Sequence, residues 1–494
     1  MSTLFLIRLT AATAVAATLG LALPASAKTS SQSTATQDDA AAASEYAPPS
    51  SATSERAPAK QAKNSKNSKN SKNSKNSKNS KNKQRDGKRP SPSPSTYLVG
   101  AKIYTVSGAT IEGGVIKLVG DTIVSVAGSA ARSKIPASAR VIDLTGKIVT
   151  PGFIAADSSL GLVEIGAEPS TRDTSREHDH PIHAGYDPSS AIYARSSLIP
   201  VQAVEGITSA AVAPSGGLLS GQVTWIDLVY GSQDDIVSAT KIAVDGSAGQ
   251  SYAGSRAATL AELRRVLEDA RFYRRSKSAY DRGQSRKLAA RPEDLAALGP
   301  VLTGKIPLTL SANRASDITA LIDLARDFRL KLVIVGGAQA WQVAEKLAAA
   351  KVPVVLTPSN NLPRSFASMG ARLDNAAILA AAGVTVVIAD PDGAHNLRNL
   401  SQEAGIAIAN GLDFEQALAA LTLNVAQTYG MQARYGSITK GKTANLVVWD
   451  SDPFELDAWP HQVWIRGKRI PTITRQTLLR DRYLNRLGLN GHSD

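Results

Sequence analysis

Alternating strand and helix patterns between residues 306 and 409 constrain the fold of this chain more than any other feature. The apolar segments IPLTLSA, LKLVIVG, VPVVLTP and VTVVIAD are continuous runs, and each is followed by residues with helical spacing. Continuous Val, Ile and Leu runs are typical of parallel strands that are buried on both faces. The pattern therefore predicts a parallel sheet covered by helices, with Ser316 as the N-cap of the first helix.

Two architectures fit this local pattern, an open doubly wound sheet and a closed (β/α)8 barrel, because periodicity does not report how a sheet closes. Length favours the barrel, since residues 151–435 number 285 and a barrel with insertions has roughly 250. Short alternating runs separated by turn residues at 97–150 and again at 436–475 predict β-structure on both sides of it. We therefore predict an α/β fold with a TIM-like barrel, flanked by two β segments that belong together in space.

The first 27 residues have the pattern of a secretory signal peptide. Arg8 precedes an apolar stretch at 9–23, and Ala25-Ser26-Ala27 offers a cleavage site. A membrane anchor is the alternative, but about 15 apolar residues fall short of the roughly 20 needed to span a bilayer. We expect an exported protein, periplasmic or extracellular, with no transmembrane segment. The sequence has no cysteine, which excludes disulfides, thiolate metal ligands and a lipid-modified cysteine.

Residues 28–96 form a low-complexity segment that contains six consecutive Lys-Asn-Ser triplets at 63–80. Such a segment has few apolar side chains to offset the entropy of ordering, so it is predicted to be disordered. Residues 60–89 hold twelve Lys or Arg and a single Asp, and thus carry +11 of the formal net charge of +14. The segment is either a solvated spacer or an electrostatic attachment to an anionic cell-envelope polymer. It lacks the interleaved aromatics that stack on bases, so no nucleic-acid partner is expected.

Four passages together resemble the amidohydrolase superfamily, especially its imidazolonepropionase-related members, and the resemblance covers residues 97–475. The passages are GKIVTPGFI, GVTVVIAD, DFEQALAALTLNVAQTYG and, most specific of all, YGSITKGKTANLVVWDSDPFE. The resemblance implies a metal-dependent barrel, joined to a composite β-sandwich built from residues 97–150 and 436–475, that hydrolyses amide or other C–N bonds. In this family a divalent metal such as zinc lowers the pKa of water and polarises the carbonyl.

This sequence lacks the histidines that hold the family's metal. The resemblance places the first two ligands, a His-x-His pair on one face of the first strand, at Asp157 and Ser159. Two later ligand positions fall near Ser311 or Asn313 and near Gly336, where histidine is also missing. An oxygen-only set of this kind is a poor zinc site, so we predict an altered or metal-free site and no confident cofactor.

The aspartate at the end of the family's last barrel strand corresponds to Asp390. Asp157 or Asp390 is the candidate general base, and His395 is a candidate proton donor or substrate contact. A loop histidine hydrogen-bonded to backbone is the open alternative for His395. The candidate substrate-binding residues are Ser159, Ser311, Asn313 and Arg314.

Two further segments carry weaker signals. REHDHPIH at 176–183 offers His178, His180 and His183 as a relocated His-x-His, although a polar, Pro-containing loop is an unusual metal site. PSGGLLSGQ at 214–222 is predicted to be a loop at the pocket mouth, where glycines let backbone N–H groups approach a ligand.

Two functions fit these residues. One is an exported hydrolase of non-peptide C–N bonds in a small amide or cyclic amide, and its partner is a small-molecule substrate. The other is a catalytically inactive binding or scaffold protein at the cell envelope. Residues 476–494 are read as a C-terminal tail, and the oligomeric state is left open.

Overall fold

The computed structural model describes residues 95–175, 180–249, 252–360, 362–390 and 393–489. The predictions for residues 1–94 and for His178 lie outside these described residues. The strands, in chain order, are β1 (Ser95–Ile103), β2 (Ile111–Val119), β3 (Thr122–Ala127), β4 (Arg140–Asp143), β5 (Ile148–Pro151), β6 (Phe153–Ser158), β7 (Ile207–Val212), β8 (Leu219–Asp227), β9 (Val237–Ser247), β10 (Leu308–Ala312), β11 (Leu332–Gly336), β12 (Val354–Leu356), β13 (Val386–Ile388), β14 (Leu446–Trp449), β15 (Pro460–Ile465) and β16 (Lys468–Arg469).

Helices lie mostly between the later strands. The α-helices are α1 (Leu198–Ala203), α2 (Arg256–Asp281), α3 (Pro292–Ala297), α4 (Gly299–Leu302), α5 (Ala315–Phe328), α6 (Ala344–Ala350), α7 (Asn375–Ala381), α8 (Leu400–Ala409), α9 (Phe414–Ala420), α10 (Leu423–Thr428) and α11 (Arg475–Arg486). The 3-10 helices are Ser129–Lys134, Pro169–Thr171, Pro188–Ala191, Ala340–Val343, Phe366–Ser368 and Leu397–Asn399. Among the described helices, none combines the length and the apolarity that crossing a membrane requires.

The first sheet takes strands from both flanking β segments. Its order is β16-β15-β14-β5-β1-β2-β3, with β4 pairing β1. Strand β5 pairs in parallel with β1 and antiparallel with β14, and this joins the early strands to the late ones. Side chains from one face, among them Leu98, Ile116, Val149, Leu446 and Trp464, pack into a single core. The predicted association of the two segments is therefore present in the sheet.

The second sheet is the barrel sheet, in the order β13-β12-β11-β10-β9-β8-β7-β6. Strands β9 to β13 pair in parallel, as the continuous apolar runs predict, and β6 pairs in parallel with β7. Strand β8 is the exception, because it runs antiparallel to both of its neighbours. The connections at 213–218 and 228–236 are short and contain no helix, whereas a parallel pair needs a crossover of about a dozen residues or more. The fold is a TIM-like barrel with one reversed strand.

Hydrogen bonds link the end of β6 to the loop after β13. The Ser159 backbone N–H donates to the carbonyl of Gly393 at 2.9 Å, and the Ser158 hydroxyl donates to the same carbonyl at 2.5 Å. Inside the ring, small and branched side chains such as Ala156, Ala211 and Val355 form their own core. The eight strands thus surround a packed interior, and the carboxyl ends of the seven parallel strands share one rim.

The start of helix α5 differs from the prediction. The helix begins at Ala315 with Arg314 as its N-cap, and Ser316 is an exposed first-turn residue. The Ala315 N–H donates to the side-chain oxygen of Gln339 at 3.1 Å. Because another loop satisfies this first-turn N–H, the helix needs no side-chain cap, and the assignment of Ser316 as N-cap was wrong.

Candidate functional site

The end of strand β6 has an unusual backbone at Asp157. Its φ is +53°, in the left-handed region that a non-glycine residue seldom adopts. The β6–β7 register shifts between Ala155 and Ser158, which marks a bulge at this point. Strain and bulges of this kind concentrate at functional sites, where they re-aim a side chain. Asp157 is partly accessible to solvent but is surrounded by protein, and this burial raises its pKa to about 6.

A second carboxylate faces the same interior from strand β9. Asp245 is 8% exposed and accepts a hydrogen bond from the Thr309 hydroxyl at 2.5 Å. Burial raises the pKa of Asp245 well above its ordinary value, and the negative charge of Asp157 raises it further. Hydrogen bonds from Thr309, Ser220 and the Gly246 backbone oppose this shift but do not cancel it.

Tyr429, directly after helix α10, completes this group. Burial raises the pKa of Tyr429 well above its ordinary value, the charges of Asp157 and Asp245 add to the shift, and a hydrogen bond with the Asp157 backbone opposes it. The phenol therefore stays protonated at neutral pH beside the two acids. We call Asp157, Asp245 and Tyr429 the mouth carboxylate site.

Gly336 lies where the sequence resemblance places a later metal ligand, and Asn313 packs against it. Gly336 has φ of +91°, and a Cβ at this position would lie 2.7 Å from the Asn313 side-chain oxygen. That oxygen accepts a hydrogen bond from the Ala338 N–H at 3.2 Å. A histidine at 336 therefore requires both a strained backbone and the displacement of Asn313.

The residues present do not fit the family's zinc. Across the described ranges, no group of three or more His, Cys, Asp or Glu side chains is arranged to hold a metal ion. Structural and catalytic zinc sites use at least three such ligands, usually with imidazole or thiolate among them. The mouth carboxylate site offers two carboxylates and a phenol instead, so we derive no reaction step through a metal.

The other predicted site residues take different places. Ser311 is half-buried on β10, opposite Ser247 of β9, and its carbonyl accepts the N–H groups of Ala248 and Gly249. Arg314 is half-buried at the start of α5. Asp390 is 7% exposed and follows β13 closely, at the rim that the sequence predicted.

His395 lies on the exposed side of this rim. Its Nε2 is 3.3 Å from the carbonyl oxygen of Glu164, and its own carbonyl accepts from the Gln202 side chain at 2.9 Å. These contacts favour the second interpretation left open by the sequence, a loop histidine hydrogen-bonded to backbone. Neither contact involves Asp157, Asp245 or Tyr429.

The histidines of the 180–183 loop are engaged in local hydrogen bonds. His180 Nδ1 accepts the Ile182 N–H at 3.1 Å, and His183 Nε2 contacts the His180 carbonyl. His183 is almost fully buried beside Leu219, whose carbonyl accepts its backbone N–H. This arrangement matches loop packing more closely than a relocated metal site.

The glycine-rich segment at 214–222 is only partly a loop. Strand β8 begins at Leu219, and Ser220 within it hydrogen-bonds Asp245. A Cβ on Gly221 would lie 2.6 Å from the Tyr186 carbonyl oxygen. This glycine therefore permits close packing of the neighbouring loop, and the interpretation of the whole segment as a loop was wrong.

A further buried carboxylate lies at the opposite end of the barrel. Asp227 ends the reversed strand β8 and is fully buried. It pairs with Arg466 at 2.7 Å and accepts hydrogen bonds from four further groups: the hydroxyls of Ser209, Ser238 and Tyr435 and the amide of Asn445. We call these residues the base cluster. Arg466 follows β15 and Asn445 precedes β14, so the cluster ties the barrel to the first sheet.

Asp245 and Tyr429 were not among the residues singled out from sequence. The strand that carries Asp245 reads KIAVDGS, an apolar run followed by an acid and a glycine. An acid at the carboxyl end of a barrel strand is a signal that this segment offered. Tyr429 lies within a passage that was used for the family resemblance, and its sequence gives no further hint of a site.

Comparison with known proteins identifies similar chains. A family model described as the amidohydrolase family matches residues 310–470. An amidohydrolase, tasK, of Hapsidospora irregularis is 26% identical over 370 residues, which cover 68% of this chain and 37% of that protein. Imidazolonepropionase of Pseudomonas aeruginosa (strain UCBPP-PA14) is 48% identical over 46 residues, 9% of this chain and 11% of that protein. The chain therefore spans much less than two thirds of these relatives.

Among solved structures, an amidohydrolase from Thermotoga maritima MSB8 has a TM-score of 0.69 at 24% identity. The match covers 76% of this chain and 99% of that one. At this identity the likeness establishes the fold alone. Together with the family model, it confirms the fold class predicted from the sequence.

Proposed function

We propose that this chain, a member of the amidohydrolase superfamily, is an exported hydrolase of non-peptide C–N bonds that uses two carboxylates in place of the family's metal. The observation that carries this proposal is the mouth carboxylate site. It combines a bulge with left-handed backbone at Asp157, two interacting acids surrounded by protein, and the position of barrel chemistry at the carboxyl ends of the strands.

The two acids have different tasks because their environments differ. With a pKa near 6, Asp157 is mostly ionised at pH 7 and close to the optimum for a general base. Asp245 keeps its proton because of burial and the neighbouring negative charge. The pair therefore holds one proton between the two acids, with the protonation states that general acid–base catalysis requires.

The reaction follows from these states. Asp157 removes a proton from water, the resulting hydroxide adds to the carbonyl carbon, and the C=O electrons move onto oxygen. The carbonyl then re-forms as the C–N bond breaks, and the leaving nitrogen takes the proton of Asp245. Asp157 returns its proton to Asp245, so one water is consumed and both acids are restored. The protonated Tyr429 phenol supports the Asp157 backbone.

The location follows from sequence features at residues 1–96. The leader pattern supports export to the periplasm or beyond, and the cationic segment supports attraction to an anionic envelope polymer. Fractionation of cells that carry the full chain or a variant lacking residues 28–96, at low and high salt, tests the attachment. Equal envelope association of both proteins at both salt concentrations would contradict it.

Activity is tested with hydantoins, lactams and N-acyl and N-carbamoyl amino acids, in the presence of chelator and of added zinc. We expect turnover that chelation leaves unchanged, and a loss of at least about 100-fold in kcat/KM for Asp157→Asn and for Asp245→Asn. The matched control is Asp457→Asn, which makes the same chemical change at an exposed position. Turnover that disappears with chelator and returns with zinc would contradict the two-acid site.

A second candidate function is a non-catalytic binding or scaffold protein at the cell envelope. Oxygen side chains and glycine at the family's ligand positions favour it, since the usual mechanism cannot operate with them. Saturable binding of a small amide without turnover, under every metal condition, would support this role. Turnover that depends on Asp245 would exclude it.

A further inference from the structure

Helix α11 (Arg475–Arg486) is not held in the protein by a buried face. All twelve of its residues are described, and none of them is buried. Its start is fixed by a reciprocal cap, in which the Thr474 hydroxyl accepts the Thr477 N–H at 3.3 Å and the Thr477 hydroxyl accepts the Thr474 N–H at 2.8 Å. An isolated helix of about this length is marginal in water, so a partner that covers α11 would stabilise it.

One side of α11 is apolar. Leu479, Tyr483 and Leu487 are four residues apart, and about 3.6 residues per turn bring them onto one face. Leu487 is the C-cap and keeps a right-handed helical backbone, so the face continues to it. The exposed fractions of the three side chains are 39%, 57% and 69%, and we call them the apolar stripe. Large exposed apolar side chains at helical spacing indicate an interaction surface.

Arginines flank the apolar stripe on both sides. The helix carries four arginines against one acid, and so a net charge of +3: Arg475, Arg480, Arg482, Arg486 and Asp481. At about 100° per residue, Arg480 and Arg486 lie about 60° to either side of Tyr483, and Asp481 lies on the far side. The Arg480–Asp481 ion pair at 2.7 Å is exposed to solvent and therefore weak. The surface thus combines an apolar strip with an excess of positive charge.

We propose that α11 binds the surface of a bilayer that contains anionic lipids. The apolar stripe enters the boundary between headgroups and acyl chains, and the arginines reach outward to lipid phosphates. Tyr483 suits this depth, because its ring is apolar and its hydroxyl stays near water. Twelve residues are too few to span a bilayer, so the helix lies along the surface. The inference concerns a surface separate from the mouth carboxylate site and does not rest on the proposed hydrolysis.

Charge decides between a bilayer and other occupants. A second copy would bring together two helices of charge +3, and residues 60–89 of this chain carry +11, so both meet like charge. A soluble anionic polymer would attract the arginines but would leave the apolar stripe in water. A bilayer with anionic headgroups offers both the opposite charge and an apolar phase.

The experiment uses the chain without residues 1–27, because that leader is itself apolar. The sequence has no cysteine, so one introduced cysteine carries an environment-sensitive fluorophore at a single position. Leu487→Cys places the label on the apolar stripe. Asn485→Cys is the matched control, because it lies about 160° around the helix from Leu487. Both positions are exposed, so both variants should fold.

The label at 487 should shift to shorter emission wavelength on vesicles of phosphatidylcholine with an equal part of phosphatidylglycerol, and the label at 485 should not. Binding to phosphatidylcholine alone should be at least about tenfold weaker, and high salt should weaken binding to the mixed vesicles. Adding Leu479→Gln to the labelled Leu487→Cys chain should raise the lipid concentration for half of the shift about fivefold. Leu478→Gln, at an equally exposed position on the side opposite Leu487, should change it by less than about twofold.

Four results overturn the proposal. One is no shift at 487, and another is an equal shift at 485 and 487. A shift at 487 that arises without vesicles as protein concentration rises would assign the surface to a second copy. A shift of equal size with soluble polyphosphate would assign it to an anionic polymer.

Discussion

Carboxylates are enclosed by protein at both ends of the barrel, but the charged and hydrogen-bonding groups around them differ. At the base, Asp227 has an ion pair with Arg466 and four further hydrogen-bond donors. At the mouth, Asp157 and Asp245 lie beside each other, and hydroxyl and backbone donors offset only part of the cost for Asp245. Burial without a cation raises the pKa of both mouth acids. The base cluster pairs its carboxylate with a cation, whereas the surroundings of the mouth carboxylate site favour the protonated form of Asp245.

The hydrogen-bonding groups at each end explain this difference. Asn445 and Arg466 come from the first sheet and reach Asp227, so the ion pair also joins two parts of the fold. Tyr435 belongs to the same cluster, and burial together with the charge of Asp227 raises its pKa to about 12. At the mouth, the donors to Asp245 are Thr309 of β10, Ser220 of β8 and the Gly246 backbone of β9, all from barrel strands. An acid without a cation is costly in a folded protein, and such acids occur preferentially at functional sites.

The largest effect is expected at the base. Asp227→Asn removes one charge of a buried ion pair and leaves Arg466 without its partner, so the free energy of unfolding should fall by about 3–5 kcal/mol. Urea denaturation of the variant measures this change. The double variant Asp227→Asn/Arg466→Met should lose less than the sum of the two single variants. Strict additivity would show that the pair does not act as a unit.

At the mouth, replacing an acid with asparagine should raise the free energy of unfolding at high pH. Unfolded Asp157 releases its proton near pH 4 and folded Asp157 near pH 6, so the folded state binds more protons between these values. The free energy of unfolding should therefore fall as pH rises from about 4 to about 6, by on the order of 3 kcal/mol for this group. Asp157→Asn should remove this contribution and be more stable than the native chain at pH 8, whereas the fall that comes from the raised pKa of Asp245 should remain.

The control for this measurement is Asp457→Asn, which should keep the pH dependence of the native chain. Denaturation at pH 4, 6 and 8 compares the three proteins. An Asp157→Asn variant that is less stable than the native chain at pH 8 would mean that Asp157 has a stabilising partner, as Asp227 does. The comparison between the two ends would then fail.

Local sequence predicted most of the barrel, and tertiary contacts account for what it missed. The apolar runs of β10 to β13 and the helix α5 are properties of short segments, so periodicity finds them. The reversal of β8 is not visible in periodicity, which is the same in either strand direction. The start of α5 depends on Gln339, which comes from a loop beyond the next strand.

The candidate site was predicted in part for the same reason. Asp157 was found because the family resemblance marks its position in one continuous passage. Asp245 is far from Asp157 in sequence, and only the closed ring of strands brings their charges close enough to interact. Tyr429 reaches the site from the residue directly after α10, the third α-helix after β13. Such a group of residues is set by topology and not by spacing along the chain.

A smaller loss of stability is expected at Gly336, where the sequence resemblance places a metal ligand. Gly336→Ala places a Cβ 2.7 Å from the Asn313 oxygen and forces a non-glycine residue to φ +91°. The free energy of unfolding should fall by about 1–3 kcal/mol. Thermal denaturation measures it, and Gly336→Ala/Asn313→Ala should recover part of the loss by removing the close contact. A neutral Gly336→Ala would mean that a larger ligand residue also fits here.

The smallest effect is expected at His395, which lies at the same end of the barrel as the two acids but outside their interior. Its ring is exposed; it lies 3.3 Å from the Glu164 carbonyl and interacts with the charge of the Glu164 carboxylate, so His395→Gln should change the free energy of unfolding by less than about 1 kcal/mol. Turnover should stay within about twofold of the native chain, against the 100-fold loss expected for Asp245→Asn. If the kcat of His395→Gln falls as far as that of Asp245→Asn, the loop after β13 must reach the substrate, and the proton donor then lies on the rim and not among the buried acids.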